Sequence, residues 1–161
     1  MAKILSQGIT LSIKKADLEP DYTVIPGLLE VPDIGGTTEK IDVTTLADTS
    51  RQYINGIKDY GELTFKFVYD GLCCDGSAGN SEKVSNYQFL YDLFEGSNAD
   101  TENKPKKWKI EYKSTPTRHF NFTFDGYGSL SMDSASVNSA LTFTLTITLA
   151  SDIAYAGDTA G

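Results

Sequence analysis

The stretch Leu141-Thr142-Phe143-Thr144-Leu145-Thr146-Ile147-Thr148-Leu149 decides the reading of the whole chain. Every second residue is bulky and apolar, and every residue between is threonine. Successive side chains of a strand point to opposite faces, so this order builds one face of leucine, isoleucine and phenylalanine and another of β-branched hydroxyls. A helix would scatter the same apolar positions around its circumference. The segment therefore predicts a long strand with one face in a core.

The same period recurs upstream. Ile9, Leu11 and Ile13 alternate with Thr10, Ser12 and Lys14, and Leu63, Phe65, Phe67 and Tyr69 alternate mainly with Glu62, Thr64 and Lys66. Trp108, Ile110 and Tyr112 face away from Lys107, Lys109, Glu111 and Lys113, and Phe120, Phe122 and Phe124 face away from Asn121 and Thr123. One segment departs from it. Tyr87, Leu90, Tyr91 and Phe94 fall at i, i+3, i+4 and i+7, Ser85 with Gln88 makes a capping-box pattern, and Gly96 follows as a stop. That predicts one amphipathic helix over about 86–95, whose stripe needs the apolar face of a sheet. Strands that come in runs, without strand–helix alternation, predict a mainly β protein: an antiparallel β-sandwich or barrel with one packed α-helix and a long extended loop.

At 161 residues and 40% hydrophobic content the chain suits a single domain over 1–161 that buries its core without disulfides. Fourteen Lys and Arg against 22 Asp and Glu leave a net charge of −8, which argues against a firm grip on nucleic acid, since duplex binding draws on cations that neutralise phosphates. Apolar runs fall far short of the roughly 20 residues of a membrane span, and Met1-Ala2-Lys3 leads into no signal-peptide core. These features predict a soluble chain made in the cytoplasm, with no membrane partner.

Three polar segments and a tail separate the strands. From about 25 to 60, Pro26, Gly27, Pro32, Gly35 and Gly36 break a run that still carries the apolar anchors Ile41, Val43, Leu46, Tyr53, Ile54 and Ile57. Such a length without firm structure is typically functional or disordered, and the anchors argue against disorder. Either a subunit interface or the chain's own domain must cover them. Asp70 to Val84 and Ser97 to Lys107 are further polar connections, and about 151–161 reads as a flexible C-terminal tail unless a neighbour orders it.

Chemistry is sparse. His119 sits beside Arg118 at a strand start with no nucleophile elbow near it, and Asp70 and Asp75 lack the calcium-loop spacing. No phosphate-cradling glycine loop occurs, and the basic run Lys104 to Lys109 is broken by Pro105 and Trp108. Cys73 and Cys74 are adjacent, which suits neither an ordinary disulfide nor a zinc site. They read as reduced thiols in a loop, with oxidation between copies after the protein leaves the cell as the other reading. Asn121-Phe122-Thr123 matches a glycosylation acceptor but reads as strand alternation. No enzyme, cofactor or metal is expected.

The run Ile25-Pro26-Gly27-Leu28-Leu29-Glu30-Val31-Pro32-Asp33-Ile34, then Glu39-Lys40-Ile41-Asp42-Val43-Thr44-Thr45-Leu46-Ala47-Asp48, then Tyr53-Ile54-Asn55-Gly56-Ile57-Lys58-Asp59-Tyr60-Gly61-Glu62-Leu63-Thr64-Phe65, resembles the major tail (tail tube) proteins of long-tailed, non-contractile bacteriophages. The resemblance implies a β-sandwich with a flanking helix whose copies close into hexameric rings, stacked into a hollow tube through which DNA leaves the virion without specific binding. It implies contacts with further copies through Ile34, Ile41, Val43, Leu46, Tyr53, Ile54 and Ile57, with this loop ordered only between stacked rings. It also implies tape measure, tail terminator and tail tip proteins as partners, and the virion tail as location. In such a tube the polar strand positions Asn121, Thr142, Thr144 and Thr146 are the lumen candidates, with Lys107, Lys109 and Lys113 facing elsewhere or balanced by Glu111 and its neighbours. The competing expectation is a monomeric β-sandwich module that binds carbohydrate or a receptor on a platform of Tyr53, Tyr60 and Trp108.

Overall fold

The computed structural model describes residues 8–14, 21–75, 82–94, 104–115 and 118–160. Its strands are β1 (Thr10–Ile13), β2 (Thr23–Ile25), β3 (Leu28–Glu30), β4 (Thr37–Asp42), β5 (Tyr53–Asp59), β6 (Glu62–Val68), β7 (Cys74–Asp75), β8 (Lys83–Val84), β9 (Lys106–Thr115), β10 (Arg118–Met132), β11 (Thr142–Leu149) and β12 (Ala154–Ala160). The helix α1 spans Asn86–Phe94. Glu95 and Gly96, where the sequence sets the helix stop, lie outside the described residues.

One antiparallel sheet runs β2-β1-β9-β10-β11-β6-β3 and curls into a half-barrel, where a two-sheet sandwich was the other form expected. The Leu141–Leu149 alternation sets the register at its centre: Phe143 opposes Phe67, Leu145 opposes Phe65 and Ile147 opposes Leu63. All six are buried, and with Leu11, Ile13, Trp108, Ile110 and Phe124 they form one apolar face. Helix α1 lies on that face through Phe89, Leu90 and Leu93. Tyr87 meets Phe143 edge-on at 5.3 Å between ring centres, and Phe94 meets Trp108 at 5.8 Å. Ser85 Oγ accepts the Gln88 amide, but the Gln88 side chain bonds Asp92 at 2.7 Å, so only half of the capping box forms.

The long strand β10 serves three neighbours. Residues 118–126 pair with β9 along one edge, while on the other edge 118–123 pair with β12 and 126–132 with β11. Where the partner changes, the Asp125 amide donates to Ser151 Oγ and the Asp125 carbonyl accepts the Ala150 amide at 2.8 Å. A Cβ on Gly126 would sit 2.6 Å from the Ile147 side chain and 2.8 Å from the Thr148 carbonyl, so only glycine lets β10 and β11 close here.

Two expectations are corrected. The segment about 151–161 is not a free tail through Ala160, because β12 continues the line of β11 and its backbone pairs with β10. An apolar-poor stretch reads as a tail when its backbone partner lies far off in sequence, here from Thr123 opposite Ala154 to Arg118 opposite Ala160, invisible to local pattern. The segment about 25–60 is not one extended loop either: β3 joins the main sheet beside β6, and β4 with β5 forms a separate hairpin.

Candidate functional site

The β4–β5 hairpin is an arm whose strands pair only with each other. It leaves the sheet at Gly35-Gly36 and returns through Tyr60-Gly61. Gly36 lies against the Tyr60 ring, and Gly61, at the junction of β5 and β6, takes a left-handed φ of +65° that favours glycine. Ile41 opposes Ile54 across the two strands, and Lys40 Nζ lies 6.0 Å from the centre of the Tyr53 ring. Apolar side chains of the arm are open to solvent: Leu46 entirely, Ile57 at 90%, and Ile41, Val43, Tyr53 and Ile54 at about half. Ile34 differs from these, since it packs against the hydrophobic core at the arm's root.

The arm's tip is built by its own polar residues. Asp42 accepts the backbone amide of Thr44 at 2.9 Å and its hydroxyl, and Arg51 lies 3.3 Å from the same carboxylate. These hydrogen bonds hold the Asp42 carboxyl below its ordinary value. Asp48 accepts the amide and hydroxyl of Thr45, while Thr44 Oγ1 accepts the Gln52 amide. The Asp-Val-Thr-Thr-Leu-Ala-Asp run is therefore a designed turn that presents Leu46 at its apex.

The second surface is the polar face of the sheet. Thr142, Thr144 and Thr146 of β11 share it with Thr64 and Lys66 of β6, and Asn121 of β10 lies on the same face beside Glu111. Asp133 accepts the hydroxyls of Thr142 at 2.7 Å and Thr144 at 2.8 Å, and these bonds, helped by Lys66, lower its carboxyl pKa. Sequence reading missed Asp133, which stands past the end of β10 and meets the threonines only through the hairpin. Lys107, Lys109 and Lys113 do not face elsewhere but lie on this face too. Lys107 is 3.6 Å from Asp125 and Lys109 3.2 Å from Glu111, whereas Lys113 stands opposite His119 with no such ion pair among the described residues. The apolar face extends past the helix in a cluster of Tyr112, Phe120, Phe122 and Tyr155, with Tyr112 and Phe120 stacked at 4.9 Å. Burial pushes the Tyr112 phenol up, whereas Tyr155 is 64% exposed.

The aromatic platform does not exist. Trp108 is fully buried and donates Nε1–H to the Gly126 carbonyl at 3.1 Å, Tyr60 lies at the arm's root, and Tyr53 lies out on the arm. A tryptophan in an alternating strand falls on whichever face its parity dictates, and here that face is the core. His119 is only partly exposed, with Nδ1 3.5 Å from Glu111. Among the described residues no three His, Cys, Asp or Glu side chains come together as metal ligands, and no helix is long and apolar enough to cross a membrane.

The family model for phage tail tube proteins, lambda-like, matches residues 2–157. No curated protein matches by sequence. Among solved structures, a chain of the anti-feeding prophage baseplate, six-fold symmetrised, superposes with a TM-score of 0.68 at 11% identity, covering 98% of this chain and 97% of that one. A chain of the native gene transfer agent virion gives a TM-score of 0.60 at 12% identity over 96% and 100%. A chain of the sheath–tube complex of an extracellular contractile injection system gives 0.57 at 14% identity over 92% and 87%. At these identities the likeness is one of fold.

Proposed function

Because the chain belongs to the lambda-like phage tail tube family and is a structural subunit of that kind, we propose that six copies close into a ring and that rings stack into a hollow tube through which DNA is ejected. The observation that carries the reading is the arm. A two-stranded hairpin is at best marginally stable alone in water, yet this one exposes six large apolar side chains, two of them almost wholly and four at about half, with no strand of the main sheet among the described residues paired to it. A neighbouring copy covers them, as a heterologous interface that repeats from subunit to subunit. The six-fold symmetry of the anti-feeding prophage baseplate supports the ring size. The non-contractile tail type rests on the sequence resemblance over Ile25 to Phe65, and the tape measure, tail terminator and tail tip proteins are the further partners in that reading.

The Thr-lined polar face suits the bore. Threonine hydroxyls fill the β11 part of this face, and its lysines are interleaved with carboxylates, Lys107 with Asp125, Lys109 with Glu111 and Lys66 near Asp133, with Lys113 opposite His119. Such a mixture offers a passing duplex little net positive charge. Asn121, Thr142, Thr144 and Thr146 are then lumen residues.

Electron microscopy of concentrated protein tests the assembly: hollow tubes or rings are expected. A Leu46→Asp, Ile54→Asp variant should keep the wild-type circular dichroism and melting behaviour but stay monomeric. A wild type that remains monomeric at high concentration, or a variant that assembles normally, overturns the reading.

A further inference from the structure

Cys73 and Cys74 precede the helix at the start of the short β7–β8 ladder, Cys74 within it and Cys73 just before it, and the fold does something with them that adjacency alone does not. Their Sγ atoms turn toward each other and lie 2.9 Å apart, within about 1 Å of a bonded pair, which sits near 2.05 Å. The two thiols are unequal. Cys74 is 8% exposed and belongs to the hydrophobic core, whereas Cys73 is half-buried with its sulfur near the Asp70 carbonyl at 3.7 Å. No disulfide joins them in this structure. The Cys73 amide is fixed to the Val84 carbonyl at 3.2 Å, and Val84 leads directly into the Ser85 cap of α1.

We propose that Cys73 and Cys74 are a redox-active vicinal dithiol that closes to a disulfide with small-molecule disulfides of the glutathione class. Cys73, the accessible sulfur, attacks as thiolate and breaks the reagent's S–S bond, releasing one thiol and leaving a mixed disulfide on Cys73. Cys74 then attacks the Cys73 sulfur and expels the second thiol. One S–S bond is made for the one broken, the two Cys protons end on the two released thiols, and the protein pair loses the two electrons that the reagent gains. The second step is fast because the attacking sulfur is already in place. Burial of Cys74 works against the alternative of cross-links between copies.

The product is a labile bond. Adjacent Cα atoms stand about 3.8 Å apart across a trans peptide, below the usual disulfide range of about 4.4–6.8 Å. A ring strained in this way is easily reduced, so the pair stays open in a reducing cytoplasm and closes outside it. In the proposed tube this separates subunits still in the host from subunits in released particles. That biological sense rests on the proposed function, whereas the chemistry is a property of the isolated chain and is tested there.

Purified reduced protein is incubated with oxidised glutathione, quenched, and analysed by intact mass and peptide mapping. The expected result is loss of two hydrogens with a Cys73–Cys74 link, a chain that runs as a monomer without reductant, and full reversal by reduced glutathione. The reduced form should take up one equivalent of phenylarsine oxide, which needs two neighbouring thiols, and the oxidised form none. Cys74→Ser should stop at a persistent glutathione adduct on Cys73. Wild-type protein that keeps the adduct, forms disulfide-linked dimers, or retains both thiols overturns the proposal. None of these outcomes depends on whether tubes form.

Discussion

The side-chain amide of Asn86 donates to the backbone carbonyl of Val68 at 2.8 Å, joining the first turn of the helix to the end of a core strand 18 residues earlier. The same nitrogen reaches the Pro26 carbonyl at 3.0 Å, and the Asn86 oxygen accepts the Asp70 amide at 3.1 Å. Asn86 is fully buried, and its own amide is satisfied by these partly buried backbone groups.

Asn86→Leu therefore removes the partner of two partly buried carbonyls and of the Asp70 amide. A loss of about 1–3 kcal/mol is expected. Urea unfolding measures it; a midpoint within error of wild type would remove Asn86 from the list of structural anchors.

Gly128 carries the ring of Phe94, which occupies the space that a Cβ would need. Gly128→Ala should cost about 1–3 kcal/mol through overpacking. Phe94→Leu in the same chain should recover part of that loss, and a double-mutant cycle reads the coupling. Strict additivity of the two changes would show that they do not meet.

Leu145 is fully buried between Phe65 and Leu130. Leu145→Asp puts a carboxylate in the core and should abolish cooperative folding. Soluble Leu145→Asp protein with a sharp melting transition would count against this placement.

Asp133 introduces an acid dependence of known sign. Its folded pKa lies below the ordinary value, first because of Thr142 and then Thr144. The stabilisation is present above the unfolded pKa, about 3.9, and is lost as pH falls through the lower folded value. Wild type and Asp133→Asn should thus differ in stability by a constant amount near neutrality, the gap closing in acid. Parallel pH profiles down to acid unfolding would contradict the assignment.

Hydrogen exchange addresses the arm. The Val43 amide donates to the Gln52 carbonyl at 3.0 Å, but a lone hairpin opens readily. Fast exchange at Val43 and across β4–β5 is expected in the monomer, with strong protection in assembled tubes. Equal protection in both states would mean that no neighbour covers the arm.

How far the sequence carries is clearest in β11. Parity alone assigned Phe143, Leu145 and Ile147 to the core and the threonines to the other face, because the period of a strand is a local property. The existence of the helix was legible for the same reason, from i, i+3, i+4, i+7 spacing and the Ser85 cap, but its buried side was not: Phe89, Leu90 and Leu93 enter the core while Tyr91 stays exposed, because distant strands set the sheet face that α1 meets. The arm's anchors could be named in advance, but whether Ile41 and Ile54 folded back or stood in solvent was not local: β4 and β5 pair only with each other and leave both residues about half exposed. The tertiary structure alone recruited β12 to β10, buried Trp108 away from Tyr53 and Tyr60, brought Asp133 to Thr142 and Thr144, and turned the sulfurs of Cys73 and Cys74 together. Each of those depends on backbone partners or side-chain directions set by distant segments, which periodicity does not encode.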